Sequence, residues 1–197
     1  MTRAMTFSTL LILTGASAAG AAAPSYAQDR QVVTVIGRAE RACFLGLPVQ
    51  ADAPSLNFDS AGGSVFNVTR LTSAETLTTR PARITLGMDA MCNGVHRVVI
   101  ASDNNGLWRQ DTGESQSGFG TAVPYEAHVI WADQQHSLTA DAASRGYVED
   151  QMLVGRPAAG SLLVEFAIAP GATNAGINAP LLAGDYSDVL RLTVQPQ

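Results

Sequence analysis

Three histidines, two cysteines and a few paired carboxylates are the side chains in this sequence whose types could carry out chemistry. His96, His128 and His136 lack the His-Glu-x-x-His spacing that sets two imidazoles on one helix face around a metal. Each reads as an exposed strand or loop residue. Glu149-Asp150 and the pair Asp185/Asp188 could be written as the acid and base of a glycosidase. Adjacent acids in loops and at strand starts are expected instead to be solvated surface. No Gly-x-Ser-x-Gly elbow and no phosphate-cradling glycine loop accompany them. A hydrolase working through Asp185, Asp188 or His128 is therefore the weakest reading. The sequence predicts no catalytic residue, no cofactor and no metal site. Asn67-Val68-Thr69 matches a glycosylation sequon, a triplet frequent by chance.

Cys43 and Cys92 have no suitably spaced histidine for zinc, so their redox setting decides what they do. Residues 1–27 read as a secretory signal peptide. Arg3 supplies the positive start, residues 7–13 and the following Ala/Gly run the apolar stretch, and Ser25-Tyr26-Ala27 the small residues at the cleavage site. The apolar stretch is too short to anchor the chain in a bilayer, and no later segment is expected to span one. In an exported chain two cysteines are expected to form a disulfide. Closing the loop between them contributes roughly 4 kcal/mol in the chain-entropy model. An inter-chain bridge or two free thiols are the alternatives. The 12 Lys+Arg positions are all arginine and the net charge is −5. With no basic stripe to neutralise phosphates, nucleic-acid binding is disfavoured.

The elements that must position these residues are strands. Residues 32–36, 83–86, 95–100, 123–131, 162–168 and 189–194 are short runs rich in β-branched and aromatic types, parted by Gly, Ser, Asn and Ala segments. Asn93-Gly94 predicts a two-residue hairpin between 83–86 and 95–100. Asn105-Gly106 predicts a second turn, and Pro124 falls near a strand start, where a missing N–H matters least. Residues 133–147 read as a polar loop or a turn or two of helix. Residues 28–197 suit one domain, with no internal repeat. The fold class expected is all-β, an antiparallel β-sandwich.

The last strand and the first extended run invite a functional reading together. From Tyr186 onward Leu190, Leu192 and Val194 fall on one face, while Val189, Arg191 and Thr193 fall on the other. A terminal strand is an edge, whose unpaired N–H and C=O groups invite another chain. Residues 28–39 carry Val33, Val35, Gly37 and Ala39 on one face and Val32, Thr34 and Ile36 on the other, leaving the register open. About ten extended residues would reach roughly 33 Å, the length of a sandwich. This run is either the domain's own first strand or an arm for a neighbouring copy. A rival reading is a self-contained sandwich that binds carbohydrate or surface polymer, with Trp108, Trp131, Tyr125 and Tyr147 as a stacking platform.

Four stretches resemble one family, the spore coat protein U-like subunits of archaic, Csu-type chaperone–usher pili. They are Gly37-Arg38-Ala39-Glu40-Arg41-Ala42-Cys43, Ile84-Thr85-Leu86 leading to Cys92, Val123-Pro124-Tyr125, and the closing Gly184-Asp185-Tyr186-Ser187-Asp188-Val189-Leu190. The resemblance covers most of residues 28–197, and its terminal Gly-x-Tyr-Ser-Asp pattern is the specific part. It implies an immunoglobulin-like sandwich lacking its last strand, with residues 28–41 as the donor-strand extension and 42–197 as the pilin domain. Tyr186, Leu190, Leu192 and Val194 would then line an acceptor groove, and Val33, Val35, Gly37 and Ala39 would be the donor residues. Cys43–Cys92 would tie the first core strand to the second. The partners implied are a periplasmic chaperone, an outer-membrane usher and neighbouring pilin subunits. The chain would pass through the periplasm to a surface fibre serving adhesion or biofilm.

Overall fold

The computed structural model describes residues 31–111 and 116–197. The expected signal peptide and residues 28–30 of the expected arm lie outside the described residues. The chain divides into two units, Met1–Arg38 and Ala39–Gln197. In the first, residues 31–38 carry no strand and are exposed, Val33 at 82% and Val35 at 89%. The strand expected over 32–36 is thus absent, because β propensity is realised only where a sheet supplies partners.

The second unit is all-β with antiparallel sheets, a β-sandwich. Its strands are β1 (Cys43–Leu45), β2 (Val49–Gln50), β3 (Phe58–Gly62), β4 (Val65–Val68), β5 (Ala82–Cys92), β6 (His96–Ser102) and β7 (Leu107–Arg109). There follow β8 (Ala122–Val123), β9 (Tyr125–Trp131), β10 (Gln134–Ala140), β11 (Val148–Val154), β12 (Ala158–Ile168), β13 (Tyr186–Ser187) and β14 (Leu190–Pro196). One sheet runs β1-β5-β12-β9-β10, with β2 also on β5. A second runs β11-β6-β14, a third β13-β7-β8, and β3-β4 is a hairpin. Among the described residues no helix is long and apolar enough to cross a membrane.

Period-two alternation builds the core. On β5, Ile84, Met88 and Ala90 turn inward; on β12, Leu162 and Val164; on β9, Ala127, Val129 and Trp131. All of these but Ile84 meet Val98 and Ile100 of β6 and Met152 and Val154 of β11 in one apolar cluster. Alternate residues of each strand can share one interior only because the side-chain period is two.

Three local expectations change and a fourth holds. Asn93-Gly94 does not close a hairpin: β5 pairs with β1 and β12, while β6 pairs with β11 and β14. The chain crosses between sheets there. Asn105-Gly106 turns as expected, with φ of 54° and 133°, and passes the chain from β6 to β7 in another sheet. Pro124 splits the run 123–131 into β8 and β9. Residues 133–147 contain a strand, β10, joined to β9 through Ala132-Asp133, where φ is 52° and 63°. Both central residues at positive φ make this the two-residue hairpin turn. Ala-Asp does not advertise it; Arg156 braces it, donating to Ala132 O at 3.0 Å and Asp133 Oδ2 at 2.6 Å.

His96, expected to be exposed, is wholly buried. Trp131 Nε1 can only donate, so His96 Nε2 accepts from it at 2.8 Å and Nδ1–H donates to Gly94 O at 2.9 Å. With both ring nitrogens satisfied, a neutral imidazole can sit in the core beside the sheet crossover. His128 stands half-exposed, 3.5 Å from Glu126, and His136 Nε2 lies 2.7 Å from Asp150 Oδ1.

That last contact joins β10 to β11, the edges of two different sheets, and holds the Asp150 carboxyl below its usual range. The hydrogen bond from Arg191 does the same for Asp103, and the Ala143 N–H, followed by Asn105, for Asp141. A depressed carboxyl contributes stability that is complete above its unfolded value, about pH 4, and is lost as pH falls through the folded value. The urea midpoint should therefore hold level from about pH 7 to pH 5 and fall below about pH 4. Asp103→Asn should make that fall shallower. A midpoint unchanged down to about pH 2 would contradict this.

Candidate functional site

β14 lies at the edge of its sheet, paired with β6 and, among the described residues, with no strand on its other side. Asp103 N–H donates to Val189 O at 3.0 Å and Gln197 N–H to Val95 O at 2.9 Å. Odd-numbered residues of β14 therefore bond toward β6. By the antiparallel alternation, Leu190, Leu192 and Val194 turn their N–H and C=O groups outward. The same three side chains face inward and pack, half-buried, against the apolar core. One row of residues thus offers both a main-chain ladder and an apolar floor.

The ladder has a defined end. Pro196 occupies the next outward-facing position, opposite His96, and its nitrogen has no hydrogen to give. An added strand finds both donors and acceptors along residues 190–194, and at Pro196 an acceptor alone. Across from this edge runs β1, the edge of the other sheet, with Leu45 turned to the core.

Asp188 pins the start of β14. Its Oδ2 accepts from Ser102 Oγ at 2.5 Å and Tyr125 OH at 2.6 Å. Its Oδ1 accepts from Asn104 N and Nδ2, both at 3.0 Å, and Val189 N at 2.8 Å. Burial, and then this bond to Asp188, pushes the Tyr125 phenol well above its ordinary value. Val123-Pro124-Tyr125 and the Tyr-Ser-Asp pattern therefore meet in space as donor and acceptor. Gly184 opens the pattern at φ +147°, a backbone conformation in which any side chain would be strained. On the solvent face Arg191 makes a two-pronged bond to Asp103, at 2.8 and 2.7 Å, holding β14 to the end of β6.

Tyr186 stands apart from the other three expected groove residues. It lies on β13, opposite Arg109 of β7, and its hydroxyl donates to Leu182 O at 2.7 Å. Its phenol is raised, chiefly by burial. Val33, Val35 and Gly37 belong to the first unit, and Ala39 opens the second, exposed.

Cys43 and Cys92 form the disulfide, directly opposite each other on β1 and β5 with Cα atoms 4.2 Å apart. The next residues extend this hold, and nothing in their spacing announces it. Asn93 N–H donates to Ala42 O at 3.1 Å, while Asn93 Oδ1 accepts from Ala42 N at 2.8 Å. Asn93 Nδ2 donates to Glu40 O, also at 2.8 Å. The side-chain amide supplies the rungs that the backbone abandons on turning into β6. Arg41 lies over Gly94, its Cγ 3.4 Å from where a Cβ would stand, and Nη1 donates to Gln197 O just past β14.

The other candidates disperse. Glu149 accepts from Tyr147 OH at 2.5 Å and Asp150 engages His136, both on the strand surface. Asp185 is exposed and bonds Gln110 N through its backbone carbonyl, while Asp188 is spent on five donors. No cluster of metal-binding side chains occurs among the described residues. The four-aromatic platform is not assembled: Trp131 and Tyr125 are core residues at 2% and 3% exposure. Neither the known protein families nor the curated proteins yield a match to this sequence.

Proposed function

We propose that this chain is a structural, non-catalytic subunit that assembles by strand addition, its N-terminal run lying along β14 of another copy. The observation that carries this reading is the β14 edge, where Leu190, Leu192 and Val194 combine half-buried apolar side chains with outward-facing main-chain groups. Strand addition draws affinity from such a ladder and register from alternate side-chain pockets. The sandwich is one strand short in this reading, and residues 31–39 supply the strand. Their exposed valines would gain burial on docking.

The resemblance to spore coat protein U-like pilins supports the same proposal and extends it. A periplasmic chaperone would first cover the edge, an usher would exchange it for the next subunit's arm, and a surface fibre would result. A formed disulfide suits export to an oxidising compartment.

Val33 and Val35, with Gly37 and Ala39, are the donor face, because the alternative face would bury Thr34 without a partner for its hydroxyl. Val35→Asp should slow fibre formation by more than about tenfold, since a carboxylate would enter an apolar floor, while export stays normal. Electron microscopy and cell fractionation read the two outcomes. Normal fibres from Val35→Asp would overturn the register; a wild-type chain that stays a soluble monomer at all concentrations would overturn the function.

A further inference from the structure

We propose that Asn93 is a positioning residue for the donor arm: its side-chain amide fixes the direction in which the chain enters β1, and so decides how well that arm reaches another copy. This rests on the strand-addition reading above. The Cys92-Asn93-Gly94 segment takes hold of each of the four residues from Glu40 to Cys43. Cys92 binds Cys43 covalently, Asn93 brackets Ala42 on both sides and catches Glu40 O, and Gly94 lies beneath Arg41. The disulfide alone would fix one residue and leave the preceding backbone to swing about it. With these two side-chain hydrogen bonds in place, Ala42 and Glu40 stay tied to Asn93 beyond the last rung of β1.

Direction matters because of where this grip sits. β1 is antiparallel to β5 and β14 is antiparallel to β6, while β5 passes into β6 at Asn93. The start of β1 and the finish of β14 therefore share one end of the sandwich, and Arg41 binds Gln197 there. To cover its own β14 the arm would have to reverse at this end and run parallel to that strand. Holding residues 40–42 to Asn93 removes the most direct place for such a reversal. The arm is then left available to a second copy, whose β14 it can meet in either sense.

The test separates giving a strand from receiving one. The full chain, wild type or Asn93→Ala, is mixed with a fluorescent synthetic peptide of residues 31–39, and polymerisation without peptide is followed by light scattering. Asn93→Ala should bind the peptide with wild-type affinity yet polymerise about tenfold more slowly or less. Asn93→Asp keeps the acceptor for Ala42 N and loses only the donor to Glu40 O. It should fall between the two, and it guards against a folding defect in the alanine variant. Wild-type polymerisation rates in both variants would overturn the proposal. So would a parallel loss of peptide binding, which would place the effect in the groove. If wild type itself neither polymerises nor binds the peptide, the strand-addition reading falls, and this proposal with it.

Discussion

Asp188→Ala should cost about 3–4 kcal/mol of folding stability, a large share of the roughly 5–15 kcal/mol that holds a domain of this size together. The carboxylate receives hydrogen bonds from Ser102, Tyr125, Asn104 and Val189. Ser102 is wholly buried and Tyr125 nearly so, at 0% and 3% exposure. With the acceptor gone, both hydroxyls remain out of water and only one of them can donate to the other, while each stranded group costs about 1–3 kcal/mol. The costs overlap, because one rearrangement can serve several donors. Asp188→Asn keeps one oxygen and should recover part of the loss. Urea denaturation read by tryptophan fluorescence measures the series. A loss below about 1 kcal/mol for the alanine variant would show that the pin contributes little.

Removing the disulfide through the double change Cys43→Ser and Cys92→Ser should cost nearly as much, up to about 4 kcal/mol by the entropy of the loop it closes. Strain and residual order in the unfolded chain reduce that figure. The loss should reach further than stability. β1 is three residues long, and its rungs to β5 are few. Without the cross-link it should fray, taking with it the rim that faces β14 and the hold on residues 40–42. The oxidised chain should therefore bind the peptide of residues 31–39 more tightly than the double variant, at a temperature where both are folded. Equal affinity would show that β1 keeps its place without the bond.

Much of the sheet framework is written plainly in the sequence. β5, β6, β12 and β14 announce themselves through the runs 83–86, 95–100, 162–168 and 189–194 between turn-rich segments, and the apolar face of β14 falls where alternation puts it. β10 does not. Its residues Gln134, Gln135, His136 and Ser137 are polar, and only Leu138 and Ala140 reach the core. The turn before it uses Ala132-Asp133 in place of a glycine-bearing pair. Asn93-Gly94 carries the opposite signal, a strong local hairpin pattern spent on a crossover, because both flanking strands find better partners elsewhere.

The site is legible only in part, for a similar reason. The Gly-x-Tyr-Ser-Asp pattern stands out as a string, but what it does depends on Tyr125 and Ser102, 63 and 86 positions away in the chain. His96 reads as a surface residue until Trp131 comes within 2.8 Å of it. Asn93 has no sequence mark distinguishing a bracket from a turn residue; its role exists only once Glu40 and Ala42 lie beside it. Pairwise chemistry between distant positions is what a single sequence withholds.

The outward amides of Leu190, Leu192 and Val194 give the most direct test of whether β14 receives a strand. In the monomer, at a concentration too low for polymer to form, hydrogen exchange should find these three unprotected, while Arg191 and Thr193, bonded to β6, exchange slowly. Adding the peptide of residues 31–39 should slow the three outward amides by at least about tenfold and leave those of β12 unchanged. Rapid exchange that persists at saturating peptide, or protection of all three in the monomer before any peptide is added, would contradict an edge built to accept another molecule's strand.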